Sequence, residues 1–224
     1  MREGDVLTVR GPRNAFPLVR EPSYLFVAGG IGITALLPMV QQATRWGARW
    51  RLNYLGRSRD SLPFLDELCR YGGNVSVRTD DVHGPVDPVE IVTQAGQGTA
   101  VYFCGPPPLL EPTRRALREH SPTARLYSER FSAPPVRNGK PFTIRLARSK
   151  RAVQVAADES ALAALRRELP GIAYSCQQGF CGTCRVTVLS GEVEHRDNIL
   201  RPSQRQHTML PCLSRGHTTL ELDL

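Results

Sequence analysis

Mainly apolar runs alternate with amphipathic stretches over the first 130 residues of the chain. Five of the runs predict strands, and four of the stretches predict helices. The strands are expected at residues 24–28, 49–55, 75–79, 99–104 and 124–128, and the helices at residues 35–45, 62–69, 88–94 and 109–120. Strands that alternate with helices form right-handed βαβ units around a parallel sheet. This part of the chain is therefore predicted to be an α/β parallel-sheet domain.

The order of elements changes after residue 139. Two strands joined by a charged turn, a helix and two further strands are predicted there. The strands are expected at residues 142–147, 152–156, 185–189 and 219–222. The helix ends near Leu169, and either Asp158 or Ser160 is placed to cap its start. This order is typical of an α+β β-grasp ferredoxin.

A proline-rich segment at residues 133–139 separates the two patterns. Its prolines stiffen it, and Asn138-Gly139 is a turn signal. We therefore expect one domain at residues 22–132, a linker at 133–139 and a second domain at 140–224, with residues 1–21 ahead of them.

Composition excludes several classes of protein. No run of 18 apolar residues occurs, and the first residues lack the apolar core of a signal peptide, so we expect no membrane segment and a cytoplasmic location. The net charge of the chain is +8. Residues 140–224 carry 12 Lys and Arg against 8 Asp and Glu, a net charge of +4, and residues 1–139 carry the other +4. No run of five basic residues occurs, so nucleic acid is not an expected partner. An acidic protein partner and a merely solvated surface remain alternatives.

Four cysteines near the C-terminus carry the most specific chemistry. Cys176, Cys181 and Cys184 are spaced C-x4-C-x2-C, and Cys212 follows after 27 intervening residues. This is the thiolate spacing of a plant-type [2Fe–2S] ferredoxin. Glycines between the cysteines permit positive φ and close backbone approach to sulfide, and loop amides can donate hydrogen bonds to sulfur.

Zinc and disulfides are weaker alternatives for these cysteines. A structural zinc site usually pairs two CxxC knuckles, whereas here the first gap is four residues and the fourth cysteine stands alone. Disulfides require an oxidising compartment. Cys69 and Cys104 therefore need not be paired.

Two loops are candidates for binding a nucleotide, because ligands of parallel α/β sheets bind beyond the carboxyl ends of the strands. The first is Gly29-Gly30-Ile31-Gly32-Ile33-Thr34, where glycines let the backbone approach a pyrophosphate and a helix N-terminus favours the anion. The second is Cys104-Gly105-Pro106, where Gly-Pro permits a nicotinamide to lie flat against the backbone. Each loop alone could equally be a tight turn or a rigid connection.

Taken together and in this order, these segments make the chain resemble the phthalate dioxygenase reductase and vanillate O-demethylase reductase family over essentially all 224 residues. The matching segments are GPRNAFPL at 11–18, VAGGIGIT at 27–34, YLGRSR at 54–59, VYFCGPPPLL at 101–110, SERF at 128–131, PFTIRLARS at 141–149, SCQQGFCGTC at 175–184, HRDNIL at 195–200 and LPCLSR at 210–215.

The resemblance implies an NAD(P)-binding domain followed by a [2Fe–2S] ferredoxin domain. The nucleotide contacts that it implies are Gly29, Gly30, Gly32, Ile33, Thr34, Arg57, Ser58, Cys104, Gly105 and Pro106. It implies Cys176, Cys181, Cys184 and Cys212 as cluster ligands. NADH is the expected nucleotide, and NADPH is the alternative because Arg57 and Arg59 could hold a 2′-phosphate. Cys104 is expected to be a partly buried residue near the nicotinamide rather than a nucleophile.

The chain departs from the family at its start. The family places an antiparallel barrel that binds FMN before the NAD domain, and here residues 4–10 resemble only its closing strand and residues 11–18 the linker out of it. Arg125-Leu126-Tyr127-Ser128 spells the flavin motif of that barrel but falls on the last strand of the α/β domain, so flavin binding is not expected there. FMN is therefore expected only if a barrel is supplied, for example by a separate flavin-binding chain.

The resulting hypothesis is an electron-transfer oxidoreductase. NADH would reduce a flavin, the flavin the cluster, and the cluster a terminal Rieske-type oxygenase. Flavin is needed because NADH delivers two electrons as a hydride and the cluster accepts one. No acid–base catalytic residue is required, and His195, Arg196 and Asp197 are expected to cap or pack rather than to react. The alternatives are a ferredoxin-like carrier without NADH turnover and a zinc-stapled interaction module.

Overall fold

The computed structural model describes residues 2, 4–6 and 14–224, which form two compact units. One unit comprises Phe16–Arg130, and the other comprises Phe131–Leu224 together with the described residues among the first 15. The barrel strand expected at residues 4–10 and the linker expected at 11–18 fall partly on residues 7–13, which lie outside the described residues. In the described part of the chain, no helix is long and apolar enough to cross a membrane.

The first unit is an α/β domain, as the hydrophobic pattern predicts. Its five strands are parallel and lie in the order β3-β2-β1-β4-β5. The strands are β1 (Ser23–Gly29), β2 (Arg49–Gly56), β3 (Val75–Thr79), β4 (Ala100–Cys104) and β5 (Arg125–Ser128). The helices are α1 (Ile33–Arg45), α2 (Leu65–Cys69), α3 (Asp80–His83), α4 (Pro88–Val92) and α5 (Pro107–His120).

The central strand β1 shows why this sheet has helices on both faces. Alternate side chains of β1 enter different cores: Phe26 packs in a cluster with Leu36 of α1, and Val27 packs in a cluster with Ile91 of α4. A strand buried on both faces appears in the sequence as a continuous apolar run, and a parallel sheet needs such strands.

One predicted helix is shorter than expected. The stretch at residues 62–69 forms a helix only over Leu65–Cys69. Leu62 instead packs beneath Gly56, and Phe64 has a left-handed backbone with φ 63°. Because a left-handed residue interrupts helical geometry, α2 begins after Phe64.

The second unit has the predicted β-grasp arrangement. Its main sheet has the order β10-β8-β12-β6-β7, with β12 parallel to β6, and β9 and β11 form a separate antiparallel pair. Its elements are β6 (Phe142–Leu146), β7 (Ala152–Val155), α6 (Ala161–Glu168), β8 (Val186–Ser190), β9 (Val193–Glu194), α7 (Pro202–Arg205), β10 (Thr208–Met209), β11 (Arg215–Gly216) and β12 (Leu220–Leu222). Ser160 is the cap of α6, because its hydroxyl oxygen accepts a hydrogen bond from the Ala163 amide at 3.1 Å.

Candidate cluster and nucleotide sites

The four predicted ligand cysteines come together in the β-grasp unit. Cys176, Cys181 and Cys184 lie in the segment between α6 and β8, and Cys212 lies in the segment between β10 and β11. Cys184 and Cys212 are buried in a small apolar cluster with Leu162 of α6, whereas Cys176 and Cys181 are partly exposed. The β-grasp fold therefore joins two segments that are distant in sequence.

The cysteines form two hydrogen-bonded pairs. The side chains of Cys176 and Cys181 share a hydrogen bond, and so do those of Cys184 and Cys212. In the part of the chain that the structure describes, no group of three or more His, Cys, Asp or Glu side chains is placed to hold one metal ion. Two pairs of thiolates suit a cluster of two irons, because each iron of a [2Fe–2S] centre takes two protein ligands beside the bridging sulfides.

Hydrogen bonds favour thiolates at two of these positions. Burial opposes ionisation of Cys181, but hydrogen bonds from Thr183 and Cys176 outweigh it and lower the pKa of Cys181 to about 7. A hydrogen bond from Cys212 lowers the pKa of Cys184 to about 7, against the effect of burial. The same bond raises the pKa of Cys212, which is the donor. Thiolates are the form of cysteine that binds metal.

Backbone amides also point at the sulfurs. The Gln178 amide donates to Cys176 Sγ at 3.3 Å, and the Thr183 amide donates to Cys181 Sγ at 3.4 Å. The Gly179 amide is bonded to Cys212. Such bonds stabilise negative charge on the ligand sulfurs and are one of the means by which a protein sets the potential of a cluster.

The loop glycines have a further role that sequence reasoning did not identify. Gly179 and Gly182 have φ of +76° and +70°, which L side chains rarely adopt. In addition, a Cβ on Gly179 would collide with Leu213, and one on Gly182 would lie 3.0 Å from Arg185 Nε. The glycines are therefore needed for packing against the protein as well as for any approach to sulfide.

The two predicted nucleotide loops lie side by side. Strands β1 and β4 are neighbours, with Ala28 opposite Cys104, so both loops leave the same carboxyl edge of the sheet. A Cβ on Gly29 would lie 2.5 Å from Pro106 Cδ and 2.9 Å from Gly105 Cα, and one on Gly32 would overlap the carbonyl oxygen of Cys104. From the sequence, these two glycines were expected to serve either pyrophosphate binding or a tight turn. The structure requires them for contact between the loops.

Gly30 is the open position of the first loop. It has φ +50° and no atom within 4 Å of where a Cβ would stand. Its carbonyl oxygen accepts a hydrogen bond from the Tyr54 hydroxyl at 3.1 Å, and burial raises the pKa of Tyr54 to about 12, which keeps that hydroxyl protonated. The helix α1 begins at Ile33, and the Thr34 hydroxyl is bonded to the carbonyl oxygen of Ile31 at 2.8 Å. The backbone at Gly30 is thus held in a fixed shape but left accessible.

Cys104 is a buried thiol. Burial, and to a lesser degree the carboxylate of Glu129, raise the pKa of Cys104 to about 11. A thiol with this pKa is protonated at neutral pH and is a poor nucleophile. This agrees with the structural role expected for Cys104.

Arg57 and Ser58 directly follow β2, which neighbours β1 in the sheet. Two hydrogen bonds fix the backbone of Ser58. Its amide donates to the Ser61 hydroxyl oxygen at 3.2 Å, and its carbonyl oxygen accepts from the Ser61 hydroxyl at 2.7 Å. The Arg57 side chain is exposed, and its carbonyl oxygen accepts from the Asp81 amide at 3.0 Å. The nucleotide roles of both residues stay predictions.

The flavin-like tetrapeptide belongs to the sheet, as expected. Arg125–Ser128 is β5, paired with β4, and Tyr127 stacks on Tyr102 with ring centroids 4.7 Å apart. Arg125 forms an ion pair with Glu21 at 2.6 Å.

The His195–Asp197 segment has a role that was only partly foreseen. Asp197 is buried, and its carboxylate accepts from the Leu200 amide at 2.9 Å, the Ile199 amide at 3.3 Å and the Ser214 hydroxyl at 3.2 Å. Burial opposes ionisation, but these bonds outweigh it and lower the pKa of Asp197. Asp197 therefore caps a turn, as predicted, but does so from the interior rather than at the surface.

A buried arginine was missed altogether. Arg215 is 1% exposed and donates hydrogen bonds to the carbonyl oxygens of Lys140 at 2.9 Å, Ala156 at 2.8 Å and Glu159. It thereby joins the start of β6, the end of β7 and the approach to α6. A single arginine does not change the periodic pattern of apolar residues around it, so the sequence did not indicate that this side chain is buried.

Comparison with known proteins agrees with the fold and with the cysteine arrangement. The model of a 2Fe-2S iron-sulfur cluster binding domain matches residues 144–215. The chain is 40% identical over 230 residues to phenoxybenzoate dioxygenase subunit beta of Ectopseudomonas oleovorans, covering all of this chain and 71% of that protein. It is 37% identical to phthalate dioxygenase reductase of Burkholderia cepacia, covering 99% of this chain and 71% of that protein.

A solved structure supports the same conclusion. Phthalate dioxygenase reductase, described as a modular structure for electron transfer from pyridine nucleotides to [2Fe–2S], matches with a TM-score of 0.59 and 36% identity over 95% of this chain and 69% of that one. The fold and the four cysteines thus define an iron–sulfur oxidoreductase. The chain belongs to the phthalate dioxygenase reductase family, whose members are reductase components of oxygenase systems.

Proposed function

We propose that this chain carries electrons from NADH, by way of FMN, to a [2Fe–2S] cluster and on to a terminal Rieske-type oxygenase. The observation that carries the proposal is that four free cysteines come together in the β-grasp unit as two hydrogen-bonded pairs. A flavin barrel, on this polypeptide or on another, supplies FMN. We also propose a cytoplasmic location, because the ligands must stay reduced and all six cysteines are free.

Cys176, Cys181, Cys184 and Cys212 hold the cluster in this proposal. When bound, the cluster supplies one-electron chemistry at low potential. The amides of Gln178, Gly179 and Thr183 stabilise the sulfur charge, and the burial of Cys184 and Cys212 keeps water from one side. The partial exposure of Cys176 and Cys181 leaves the other side open to a partner.

The nucleotide binds at the carboxyl edge of the first unit's sheet in this proposal. Gly30 and the positive N-terminal end of the α1 dipole receive the pyrophosphate, since helix N-termini favour anions. Gly105 and Pro106 present a flat surface to the nicotinamide, and Arg57 and Ser58 contact the ribose end. No residue acts as acid or base: the hydride needs only orientation, and Cys104 stays a protonated thiol.

A glycine substitution tests the nucleotide site. Gly30→Ala should weaken NADH binding by about tenfold, because a side chain there obstructs close approach of the ligand and disfavours the positive φ. Gly72→Ala is the matched control: Gly72 has φ +52°, equally open surroundings, and lies ahead of β3 at the opposite edge of the sheet. Isothermal titration of NADH into both variants measures the effect, and equal affinities would contradict the assignment.

One observation favours a second candidate, a ferredoxin-like carrier without NADH turnover. Gly29 and Gly32 are explained by contact with Cys104, Gly105 and Pro106, so they do not in themselves require a nucleotide. A chain that holds the cluster and gives no heat with either NADH or NADPH in the titration would support this carrier over the reductase.

A further inference from the structure

The two segments that carry the cysteines contain no carboxylate. Residues 169–191 include Cys176, Cys181 and Cys184, residues 198–220 include Cys212, and neither stretch has an Asp or a Glu. The same stretches hold four arginines, at positions 185, 201, 205 and 215. All eight acidic residues of positions 140–224 therefore lie elsewhere in the unit.

Half of those carboxylates are paired with cations. Four of the eight form ion pairs with arginines that lie outside the two stretches carrying the cysteines. The pairs are Glu159–Arg167, Glu168–Arg151, Glu194–Arg196 and Asp223–Arg148. Asp197 is buried and hydrogen-bonded. Asp197 does lie close to the cysteine loop, since its Cβ is 3.6 Å from where a Cβ on Gly179 would stand, but it is only 2% exposed and is not a surface group that a partner would contact.

Two exposed guanidinium groups flank the cysteine loop. Arg166 lies over the ring of Tyr174, 4.1 Å from its centroid, and Tyr174 is two residues before Cys176. Arg185 lies beside Gly182, which directly follows Cys181. In the described part of the chain neither arginine forms an ion pair, unlike Arg167, which neighbours Arg166 on the same helix.

The cysteine loop that these two arginines adjoin is also the exposed side of the cluster site. Cys176 and Cys181 are partly exposed, whereas Cys184 and Cys212 are each only 4% exposed. The loop that holds Cys176 and Cys181 is therefore the side of the site that an outside acceptor could approach most closely.

We propose that Arg166, Tyr174 and Arg185 form a docking surface for a negatively charged patch on the electron-accepting protein. This docking surface rests on the proposed function, because the electron acceptor is taken to be the oxygenase component. The exposed arginines then require a negatively charged patch on that component. Opposite charges at the rim of an interface speed encounter and fix orientation more than they add affinity. Tyr174 adds an amphipathic contact whose ring is already ordered by Arg166.

The test is the rate of electron transfer to acceptors of opposite charge. The cluster-loaded chain is reduced with dithionite, excess reductant is removed, and the chain is mixed in a stopped-flow instrument with acidic cytochrome b5 or basic cytochrome c. One electron passes to the acceptor, whose ferric haem becomes ferrous, and no bond or proton is exchanged. NADH is not used, so the docking step is measured apart from the nucleotide site.

The double variant Arg166→Glu, Arg185→Glu should lower the second-order rate constant for cytochrome b5 by about tenfold at low ionic strength and raise that for cytochrome c. Both differences should shrink as salt screens the charges. Arg145→Glu, Lys150→Glu is the control with the same change in net charge: Arg145 is exposed on β6, whose core-facing neighbours are Ile144 and Leu146.

Equal rates for the test variant and the wild type, or equal effects of the test and control variants, would overturn the docking surface while leaving the proposed function intact. A chain without the visible absorption of the cluster before any acceptor is added would overturn both. A wild-type rate for cytochrome b5 that rises rather than falls as salt is added would also refute the assigned sign of charge.

Discussion

Individual cysteines in this chain differ by their surroundings rather than by their chemistry. Cys104 is surrounded by apolar strand residues, and burial keeps it a thiol with a pKa of about 11. Cys181 receives hydrogen bonds from Thr183 and Cys176, which lower its pKa to about 7. The spacing of Cys176, Cys181, Cys184 and Cys212 made the ligand set predictable, because four thiolates at these intervals have few other uses. The partners Asp197, Ser214 and Arg215 were not predictable as a network, since isolated buried polar residues leave no periodic signal.

Replacing Asp197 tests the buried turn at the residue scale. Asp197→Asn should reduce the free energy of unfolding by about 1–3 kcal/mol at pH 7, because an amide cannot satisfy the Leu200, Ile199 and Ser214 donors as the carboxylate does. Since the folded-state pKa of Asp197 is depressed, this stability is present above the unfolded pKa and is lost as pH falls through the folded pKa.

Urea unfolding followed by circular dichroism from pH 7 to pH 3 measures the difference. The gap between wild type and variant should be constant from pH 7 to pH 5 and should begin to narrow as the pH falls below about 4, the ordinary range of Asp. Asp223→Asn is the control, because Asp223 is paired with Arg148 at the surface and should contribute little. A gap that does not narrow at all between pH 5 and pH 3 would contradict the assigned role of the charge.

At the element scale, hydrophobic periodicity predicted the sheet strands and longer helices but not the shortest pieces. The run at residues 75–79 forms β3 with the predicted bounds, although β3 is an edge strand and only Thr79 in it is fully buried. The elements β9, β10, β11 and α7 have two to four residues each, which is too short to show a period. The α2 boundary was wrong because Phe64 has a left-handed backbone, which the apolar pattern of residues 62–69 does not indicate.

The cap of α6 offers a test at the same scale. Ser160→Ala should destabilise the β-grasp unit by about 1 kcal/mol, because the Ala163 amide loses its acceptor. Asp158→Ala is the matched control, since Asp158 was the alternative cap in the sequence and does not serve as one in the structure. Thermal unfolding of the cluster-loaded variants, followed at the visible absorption of the cluster, compares them. A larger loss from Asp158→Ala would contradict the assignment of the cap.

At the scale of the whole molecule, the chain forms two compact units, Phe16–Arg130 and the rest. The change of pattern near residues 133–139 indicated two parts, and the bounds 22–132 and 140–224 stay a prediction. Charged residues are spread evenly along the sequence. Which arginines near the cysteines lack an ion-pair partner could be told only from the ion pairs of the folded structure, among the residues that it describes. Pairing of distant side chains is a property of the fold, and composition alone could not reveal it.

Counting reactive thiols tests the state of all six cysteines together. In the cluster-loaded chain a thiol-specific reagent should react quickly only with Cys69, which is exposed, because Cys104 is buried with a raised pKa and the other four are ligands. Removing iron with a chelator should add Cys176 and Cys181 to the fast class, since both are partly exposed and the pKa of Cys181 is about 7. Cys69→Ser should abolish the fast phase before chelation, and a remaining fast thiol would contradict the ligand set.

The most direct measurement is the iron and acid-labile sulfide content of the anaerobically purified chain, combined with low-temperature electron paramagnetic resonance before and after dithionite. A [2Fe–2S] cluster on the four cysteines gives equal amounts of iron and sulfide, two of each per chain, no signal when oxidised and one unpaired electron per chain when reduced. Zinc in place of iron, or a chain that stays silent after dithionite, would contradict the assignment of Cys176, Cys181, Cys184 and Cys212 as ligands of an electron-transfer cluster.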